Sequence, residues 1–203
     1  MMNSETLGKY DKRSSDCEYL MLVFSPISVP LRARWRNNGL SADFLGDYVI
    51  TFLPAPSRES GVEAQHKLIS HAVTYIANEL LENAMKYHER NADIPIGIHL
   101  ELTSNHITVS VSNGVGVGQA TRYKAFAEHL LEGDARALLL QQQEDSAKSD
   151  DAAASGLGLL TMISDYDAQL GWRFDAHPVQ SELMTVTTKA VVSLQQLEAG
   201  AAA

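Results

Sequence analysis

The chain has 203 residues, of which 45% are hydrophobic and 20% charged, and it carries a formal net charge of −9 at pH 7. These values suit one globular domain with a sizeable core. They argue against duplex nucleic acid or an anionic membrane surface as the principal partner. Cys17 is the only cysteine, so an intrachain disulfide and a cysteine-based zinc site are excluded.

The N-terminal segment, residues 1–18, is polar and lacks the apolar centre of a signal peptide. No apolar run in the sequence approaches the length that spans a membrane. We therefore expect a soluble, cytoplasmic protein.

Two early segments have apolar patterns of different kinds. The continuous run Tyr19–Phe24, closed by Ser25 and Pro26, predicts a strand that is buried on both faces. Between Pro30 and Leu53 the apolar residues have helical spacing, which favours a helix with Ser41 as N-cap, although Val49–Leu53 alone would suit a strand. Residues 54–61 are rich in proline, serine and glycine and predict a loop.

A long helix is predicted from about Val62 to Tyr87. Its apolar residues fall within one stripe, as a helix covering a sheet requires, and they are Ile69, Val73, Ile76, Leu80, Ala84 and Tyr87. Glu79, Asn83 and Lys86 lie together on the shoulder of this stripe. A carboxylate and an amide on one helix face can point into one pocket at the edge of the core. An ordinary amphipathic helix with polar flanks is the alternative.

The next segment predicts a hairpin that ends in glycines. Alternating apolar residues place Ile96, Ile98, Leu100 and Leu102 on one face of the first strand, and Ile107, Val109 and Val111 on one face of the second. Glycines 114, 116 and 118 then recur at every second position. We expect a loop there, in which a ligand approaches the main chain closely.

The C-terminal part of the chain alternates between ordered and polar segments. Residues 119–143 predict a helix, and the polar residues that follow, through Ala154, predict a mobile segment. Ser155–Leu159 then opens a helix that runs to about Asp165. Two strands, Leu170–Ala176 and Met184–Val192, close the domain, and the low-complexity tail of residues 193–203 is expected to be disordered.

The turn Gly156-Leu157-Gly158-Leu159 precedes a helix, and this arrangement suits an anion. Free backbone N–H groups and the helix dipole favour a phosphate at such a position. A tight loop without a ligand is the alternative for this turn alone. The succession of the Glu79–Asn83 helix, a glycine-rich strand end and a second glycine turn is far more specific than any one part.

In this succession the chain resembles the GHKL nucleotide-binding superfamily, which includes histidine kinase catalytic domains, topoisomerase and chaperone ATPases, and anti-sigma-factor kinases. Residues 79–87 resemble the N box of that superfamily, residues 113–116 a degenerate first glycine box, and residues 155–159 the second. The resemblance implies a two-layer α/β sandwich of the Bergerat type, with a mixed, mainly antiparallel sheet covered on one face by helices. It also implies a single domain over residues 19–192, with an ATP lid at 119–154.

The resemblance implies ATP and Mg²⁺ as cofactors and gives roles to individual residues. Asn83 would complete the Mg²⁺ coordination, and Glu79 would be the general base. The residues expected at the nucleotide are Asn83, Lys86, Tyr87, Asn113, Gly114, Gly116, Gly156, Leu157, Gly158 and Leu159. Lid residues Arg122 and Lys124 would reach the γ-phosphate or face solvent.

The chain departs from the family pattern at the first glycine box, which normally supplies an aspartate to the adenine amino group. The alternation of the strand, or strand parity, places Asn113 on the inward face with Val109 and Val111, so Asn113 would correspond to that aspartate. Alignment by the spacing of the glycines would instead make Ser112 the corresponding residue. We prefer parity, because a slip by one residue would turn the buried face outward. An amide oxygen accepts a hydrogen bond but lacks the charge that strengthens it, so we expect adenine binding to be weaker or absent.

Residues 1–61 contain no histidine, which disfavours a histidine kinase with its own phosphoacceptor. The chain resembles more closely the anti-sigma-factor serine/threonine kinases and the SiaB-type kinases of bacterial partner-switching systems. This implies an ATP-dependent kinase that binds and phosphorylates a small regulatory protein. A non-catalytic GHKL-fold interaction module and a detached histidine kinase catalytic domain are the alternatives. The strand Tyr19–Phe24 is expected to extend the sheet or to pair across a homodimer.

Overall fold

The computed structural model describes residues 4–11, 16–25, 31–53, 62–90, 92–148 and 156–200. Its strands are β1 (Ser4–Gly8), β2 (Glu18–Phe24), β3 (Ile96–Leu102), β4 (His106–Gly116), β5 (Gln169–Ala176) and β6 (Leu183–Ser193). They form one sheet in the order β1-β5-β6-β4-β3-β2. Every neighbouring pair of these described strands is antiparallel, so the expectation of a mixed sheet was wrong.

The helices of the described chain are α1 (Leu31–Ile50), α2 (Val62–Tyr87), α3 (Val117–Glu132), α4 (Ala135–Lys148), α5 (Leu157–Tyr166) and α6 (Leu194–Gly200). The predicted two-layer α/β sandwich is confirmed, since the core lies between the sheet and these helices. The stripe predicted on α2 is buried from Ile69 to Ala84, while Tyr87 is half-buried. No helix in the described residues is both long enough and apolar enough to span a bilayer.

Strand β2 lies at the edge of the sheet, and the prediction that both of its faces are buried was wrong. Leu20, Leu22 and Phe24 pack toward the core, whereas Tyr19, Met21 and Val23 are about half exposed on the other face. The continuous apolar run concealed this alternation, because both faces of the strand are apolar. The strand extends the sheet by pairing with β3.

Helix α1 confirms the helical interpretation of residues 31–50 and excludes a strand at Val49. The proposed N-cap was wrong, since the helix begins at Leu31 and Ser41 lies within it. Ala42, Leu45 and Val49 are buried where α1 packs on α2. The predicted loop over 54–61 lies outside the described residues.

Of the glycines that were expected to form a loop after the hairpin, Gly114 and Gly116 lie within β4, which leads directly into α3, and Gly118 lies in the first turn of α3. Pairing with β6 extends as far as Gly116 opposite Leu183, which holds this segment in the sheet. The single helix predicted over 119–143 is divided into α3 and α4 at Gly133. Asp134 then caps α4, its Oδ1 accepting a hydrogen bond from the Arg136 backbone N–H at 2.9 Å. Residues 144–148 of the predicted mobile segment belong instead to α4, and its residues 149–154 lie outside the described residues.

Both terminal segments contain structure that the sequence did not predict. Within the polar segment 1–18, β1 pairs with β5. Within the tail that was expected to be disordered, α6 places Leu194 and Leu197 in the core. The backbone N–H of Leu194 also donates to the Asn105 carbonyl oxygen at 2.9 Å, so contacts with the hairpin and core hold this helix.

Candidate functional site

Glu79 projects from the middle of α2 onto the first turn of α5. A Cβ added at Gly158 would overlap the Glu79 carboxylate, so the glycine permits this close approach. The predicted base and the second glycine turn are therefore brought together. The carboxylate lies beside the end of α5 where helical backbone N–H groups are free.

The surroundings of Glu79 disfavour its charged form. Burial raises the pKa of this carboxyl above its ordinary value, and the nearby Glu82 carboxylate raises the pKa further. Glu82 is itself engaged with Asn78, whose Nδ2 donates to Glu82 Oε1 at 3.0 Å. A carboxyl with a raised pKa holds an abstracted proton more firmly than an ordinary surface carboxylate does.

A small cavity lies between α2, α3 and the sheet, one helical turn from Glu79. Its volume is about 20 Å³, which is room for about one water molecule. The residues that line it are Leu80, Asn83, Ala84, Tyr87, Val111, Asn113, Val115, Gln119, Tyr123 and Thr188. Three of the predicted nucleotide-binding residues, Asn83, Tyr87 and Asn113, therefore meet here.

Asn113 faces the core, as strand parity predicted, and Ser112 lies on the opposite face of the sheet. Only 7% of Asn113 is exposed, and its Nδ2 donates to the Ala84 carbonyl oxygen at 3.1 Å. This bond ties β4 to α2 and leaves the amide oxygen as the acceptor of that side chain. The position at which the sequence resemblance would place an aspartate is thus held by a neutral group.

Tyr123 of α3 closes the cavity from above. Its phenol oxygen lies 2.9 Å from Thr188 Oγ1 and accepts a hydrogen bond from Trp172 Nε1 at 3.0 Å. Burial raises the pKa of this phenol, while hydrogen bonds with Thr188 and Trp172 act in the opposite direction. The ring is therefore fixed on one side of the cavity by hydrogen bonds to two strands of the sheet.

Phe126, one turn further along α3, covers the second glycine turn. Gly156 has φ 115°, in the left-handed region, and a Cβ there would meet the Phe126 ring. Tyr123 and Phe126 are themselves stacked, with ring centroids 6.3 Å apart. Helix α3 therefore covers both the cavity and the turn.

Other predicted residues lie away from the cavity. Lys86 is exposed, with its Nζ 5.3 Å from the centroid of the Tyr87 ring. Gly114 packs against Ile94 and Ala92, and Gly116 lies near Glu89. None of these contacts directs a glycine backbone toward the cavity.

The two lid cations are engaged elsewhere. Arg122 donates to Gln119 Oε1 at 2.7 Å, and the Lys124 Nζ lies 2.5 Å from Glu5 Oε1 of β1. The second contact joins α3 to the edge strand of the sheet. In this conformation Arg122 and Lys124 therefore fit better the alternative that they face solvent than a role at the γ-phosphate.

The fit to Mg²⁺ and ATP differs between the two ends of the site. At the phosphate end, Glu79, Asn83 and the Gly156–Gly158 turn supply oxygen ligands and N–H donors of the type that Mg²⁺-triphosphate requires. At the base end, a cavity of about 20 Å³ does not hold a purine while Tyr123 is in place. No cluster of three or more metal-ligating side chains occurs in the described part of the chain.

Sequence reasoning missed Tyr123, Gln119 and Thr188 as lining residues. For Thr188 a signal exists, since it alternates with the core-facing Val186 and Ala190 and is polar. No comparable signal marks Tyr123, because its position depends on how α3 packs on the sheet.

No family model matches the sequence, and no curated protein matches it significantly. Among solved structures, the chain is similar to a chain of the crystal structure of the SiaB-SiaC complex from Pseudomonas aeruginosa, with a TM-score of 0.57 and 16% sequence identity. The match covers 85% of this chain and 89% of that chain. At this identity the similarity shows a shared fold.

Proposed function

We propose that this protein is a partner-switching regulator, an ATP- and Mg²⁺-dependent serine/threonine kinase of the GHKL type that binds and phosphorylates a small regulatory protein. The observation that carries the proposal is the contact between the Glu79 carboxylate and the Gly158 turn, with Asn83 one helical turn away on the same face. A carboxylate, an amide and a glycine-bounded helix start form the phosphate end of a nucleotide site.

Mg²⁺-ATP, when bound, supplies the transferable phosphoryl group and neutralises the charge that develops during transfer. Asn83 would hold the ion through its side-chain oxygen, and the amides of the Gly156–Gly158 turn would hold phosphate oxygens. Glu79 would accept the proton of the partner's hydroxyl, for which its raised pKa is favourable. The exposed Lys86 would reach the phosphates, and Tyr87, which lines the cavity, would lie at the nucleoside.

The shared fold with a chain of the SiaB-SiaC complex supports the partner-binding part of the proposal. That structure is a complex of two proteins, and its fold covers most of both chains compared. A small protein partner is the corresponding expectation for this chain.

The test is phosphotransfer to candidate small partner proteins in the presence of Mg²⁺-ATP. We expect Glu79→Gln to abolish transfer while partner binding, measured by calorimetry, is retained. Glu82→Gln, which removes a carboxylate from the same helix without touching Gly158, is the matched control and should keep transfer. Full transfer by Glu79→Gln would remove Glu79 from the mechanism.

A second candidate is a non-catalytic interaction module whose nucleotide site is closed. The Tyr123 ring, the small cavity and the neutral Asn113 favour it. Partner affinity that is unchanged by ATP, ADP and Asn83→Ala would support this candidate. Partner affinity that depends on nucleotide would contradict it.

A further inference from the structure

Helix α1 carries an exposed row of large apolar side chains on the side away from the core. The row consists of Leu40 and Phe44, which are exposed, Tyr48, which is half-buried and packs partly on the core, and Phe52 in the turn that follows the helix; successive members are four residues apart. Leu40 is 69% exposed, Phe44 48% and Phe52 41%. Scattered exposed apolar residues are normal, but a contiguous row marks an interaction surface. We call these four residues the α1 row.

The α1 row is held in place before any partner arrives. The ring centroids of Phe44 and Tyr48 lie 5.9 Å apart, and those of Tyr48 and Phe52 lie 5.1 Å apart. Beneath the row, α1 lies close to α2, since a Cβ at Gly46 would overlap Thr74. A rigid apolar surface loses little conformational entropy on binding, which favours affinity.

Acidic residues flank the α1 row along one side. On a helical wheel Asp43 and Asp47 lie within about 60° of Leu40, and both are exposed. Neither carboxylate forms an ion pair with another described side chain. The chemistry of the surface is therefore an apolar row with an anionic border.

This border distinguishes between possible occupants. If a second copy packed its α1 antiparallel on the row, Asp43 and Asp47 would approach the same carboxylates of the partner copy, which is unfavourable. A partner helix with lysine or arginine beside its apolar stripe would instead form complementary pairs, which improve specificity and association rate.

The spacing of the row sets the packing geometry of that partner. Side chains at intervals of four residues form a ridge inclined to the helix axis, and two such ridges interdigitate at a crossing angle of about −50°. A coiled coil, by contrast, needs alternating spacings of three and four. The row therefore suits one crossing helix better than a long parallel or antiparallel pairing.

The α1 row is separate from the candidate nucleotide site. Helix α1 packs on the side of α2 that presents Ser70 and Thr74, whereas Glu79 and Asn83 lie on a helical wheel about 140° or more from those residues. We propose that the α1 row is a docking surface for an amphipathic helix of a partner protein, with an apolar stripe bordered by basic residues. This inference holds whether or not the protein binds nucleotide.

The experiment uses the full chain and two synthetic peptides of about 18 residues, long enough to lie along the row. Both carry the same apolar ridge at intervals of four; one has lysines beside the ridge and the other has glutamates at those positions. Binding is followed by fluorescence anisotropy of labelled peptide. We expect the lysine peptide to bind at micromolar concentration, and the glutamate peptide to bind at least about tenfold more weakly.

Three sets of variants test whether the lysine peptide binds at the α1 row. Phe44→Ser should weaken binding of the lysine peptide by about tenfold or more, and joint Asp43→Asn and Asp47→Asn should reduce its dependence on salt. Val179→Ser, at an apolar residue that is 85% exposed elsewhere, should change nothing. ATP titration of Phe44→Ser should match that of the wild type. A result that contradicts the docking surface can therefore be told apart from one that contradicts the proposed kinase function.

Three results would overturn the inference. The first is absence of lysine-peptide binding up to millimolar concentration, and the second is equal binding of both peptides. The third is a concentration-dependent dimer, seen by light scattering, that Phe44→Ser dissociates, because it would identify a second copy as the occupant.

Discussion

The phenol oxygen of Tyr123 lies 2.9 Å from Oγ1 of Thr188, so a side chain of α3 is hydrogen-bonded to strand β6 of the sheet. The same oxygen accepts from Trp172 Nε1, which joins α3 to β5 as well as to β6. Closure of the cavity is thus the result of specific polar contacts as well as apolar packing. A purine needs α3 to move before it reaches Asn113.

Replacement of Tyr123 by alanine should open the cavity and strengthen nucleotide binding. Loss of this partly buried aromatic ring should also lower the free energy of unfolding, by up to about 3–5 kcal/mol. Tyr123→Phe is the matched control, because it keeps the ring and leaves Trp172 Nε1 unpaired at a cost of about 1–3 kcal/mol. Calorimetric titration with ATP and urea denaturation measure the two effects. Equal ATP affinity in the wild type and Tyr123→Ala would show that this ring does not limit access.

The left-handed backbone at Gly156 should make that position intolerant of a side chain. In Gly156→Ala the strained φ costs about 1–2 kcal/mol, and displacement of the Phe126 ring adds to it. Gly118→Ala is the comparison, since a Cβ at Gly118 meets nothing within 4 Å and alanine is the better helix former. Urea midpoints should fall for the first variant and stay level or rise for the second. Equal midpoints would contradict the assigned backbone conformation.

Acid should destabilise the protein through His88, which directly follows α2. This side chain is 6% exposed, and its ring is buried beside the backbone of Ala92. Burial lowers the pKa of His88 below its ordinary value of 6.5, while the Ala92 backbone and the Glu89 carboxylate act in the opposite direction. As the pH falls below 6.5, His88 takes up a proton in the unfolded chain but not in the folded chain. The free energy of unfolding therefore decreases until the pH reaches the lower pKa of the folded state.

His88→Leu should therefore flatten the decline of melting temperature between about pH 7.5 and 5.5, the range in which an ordinary histidine titrates. His71→Leu, at an exposed histidine of α2, should leave the decline unchanged. Parallel profiles for the wild type and His88→Leu would rule out His88 as the cause. Differential scanning fluorimetry at fixed ionic strength supplies the profiles.

Regular apolar spacing predicted the parts of the fold that such spacing determines. The stripe from Ile69 to Ala84 and the alternation in the hairpin each match one buried face. Strand β2 was misjudged because Tyr19, Met21 and Val23 are apolar although they face away from the helices. Sequence alone does not indicate that such residues lie on an edge strand.

The sequence likewise predicted some features of the candidate site and missed others. The spacing of Glu79 and Asn83 placed both on one face of α2, and strand parity placed Asn113 inward. The glycines of β4 were misjudged because a strand accommodates them when its partner continues to pair, as β6 does opposite Gly114 and Gly116. The role of Tyr123 follows from the packing of α3, which no local pattern specifies.

The most direct test of the account is titration of the purified protein with ATP and ADP, with and without Mg²⁺, repeated on Asn83→Ala. Trp172, bonded to Tyr123, provides a fluorescence signal for displacement of α3 during the same titration. We predict ATP binding that requires Mg²⁺, shifts the Trp172 signal and is lost in Asn83→Ala. Absence of binding by the wild type and by Tyr123→Ala up to millimolar nucleotide, with the candidate partner present, would contradict the proposed nucleotide site.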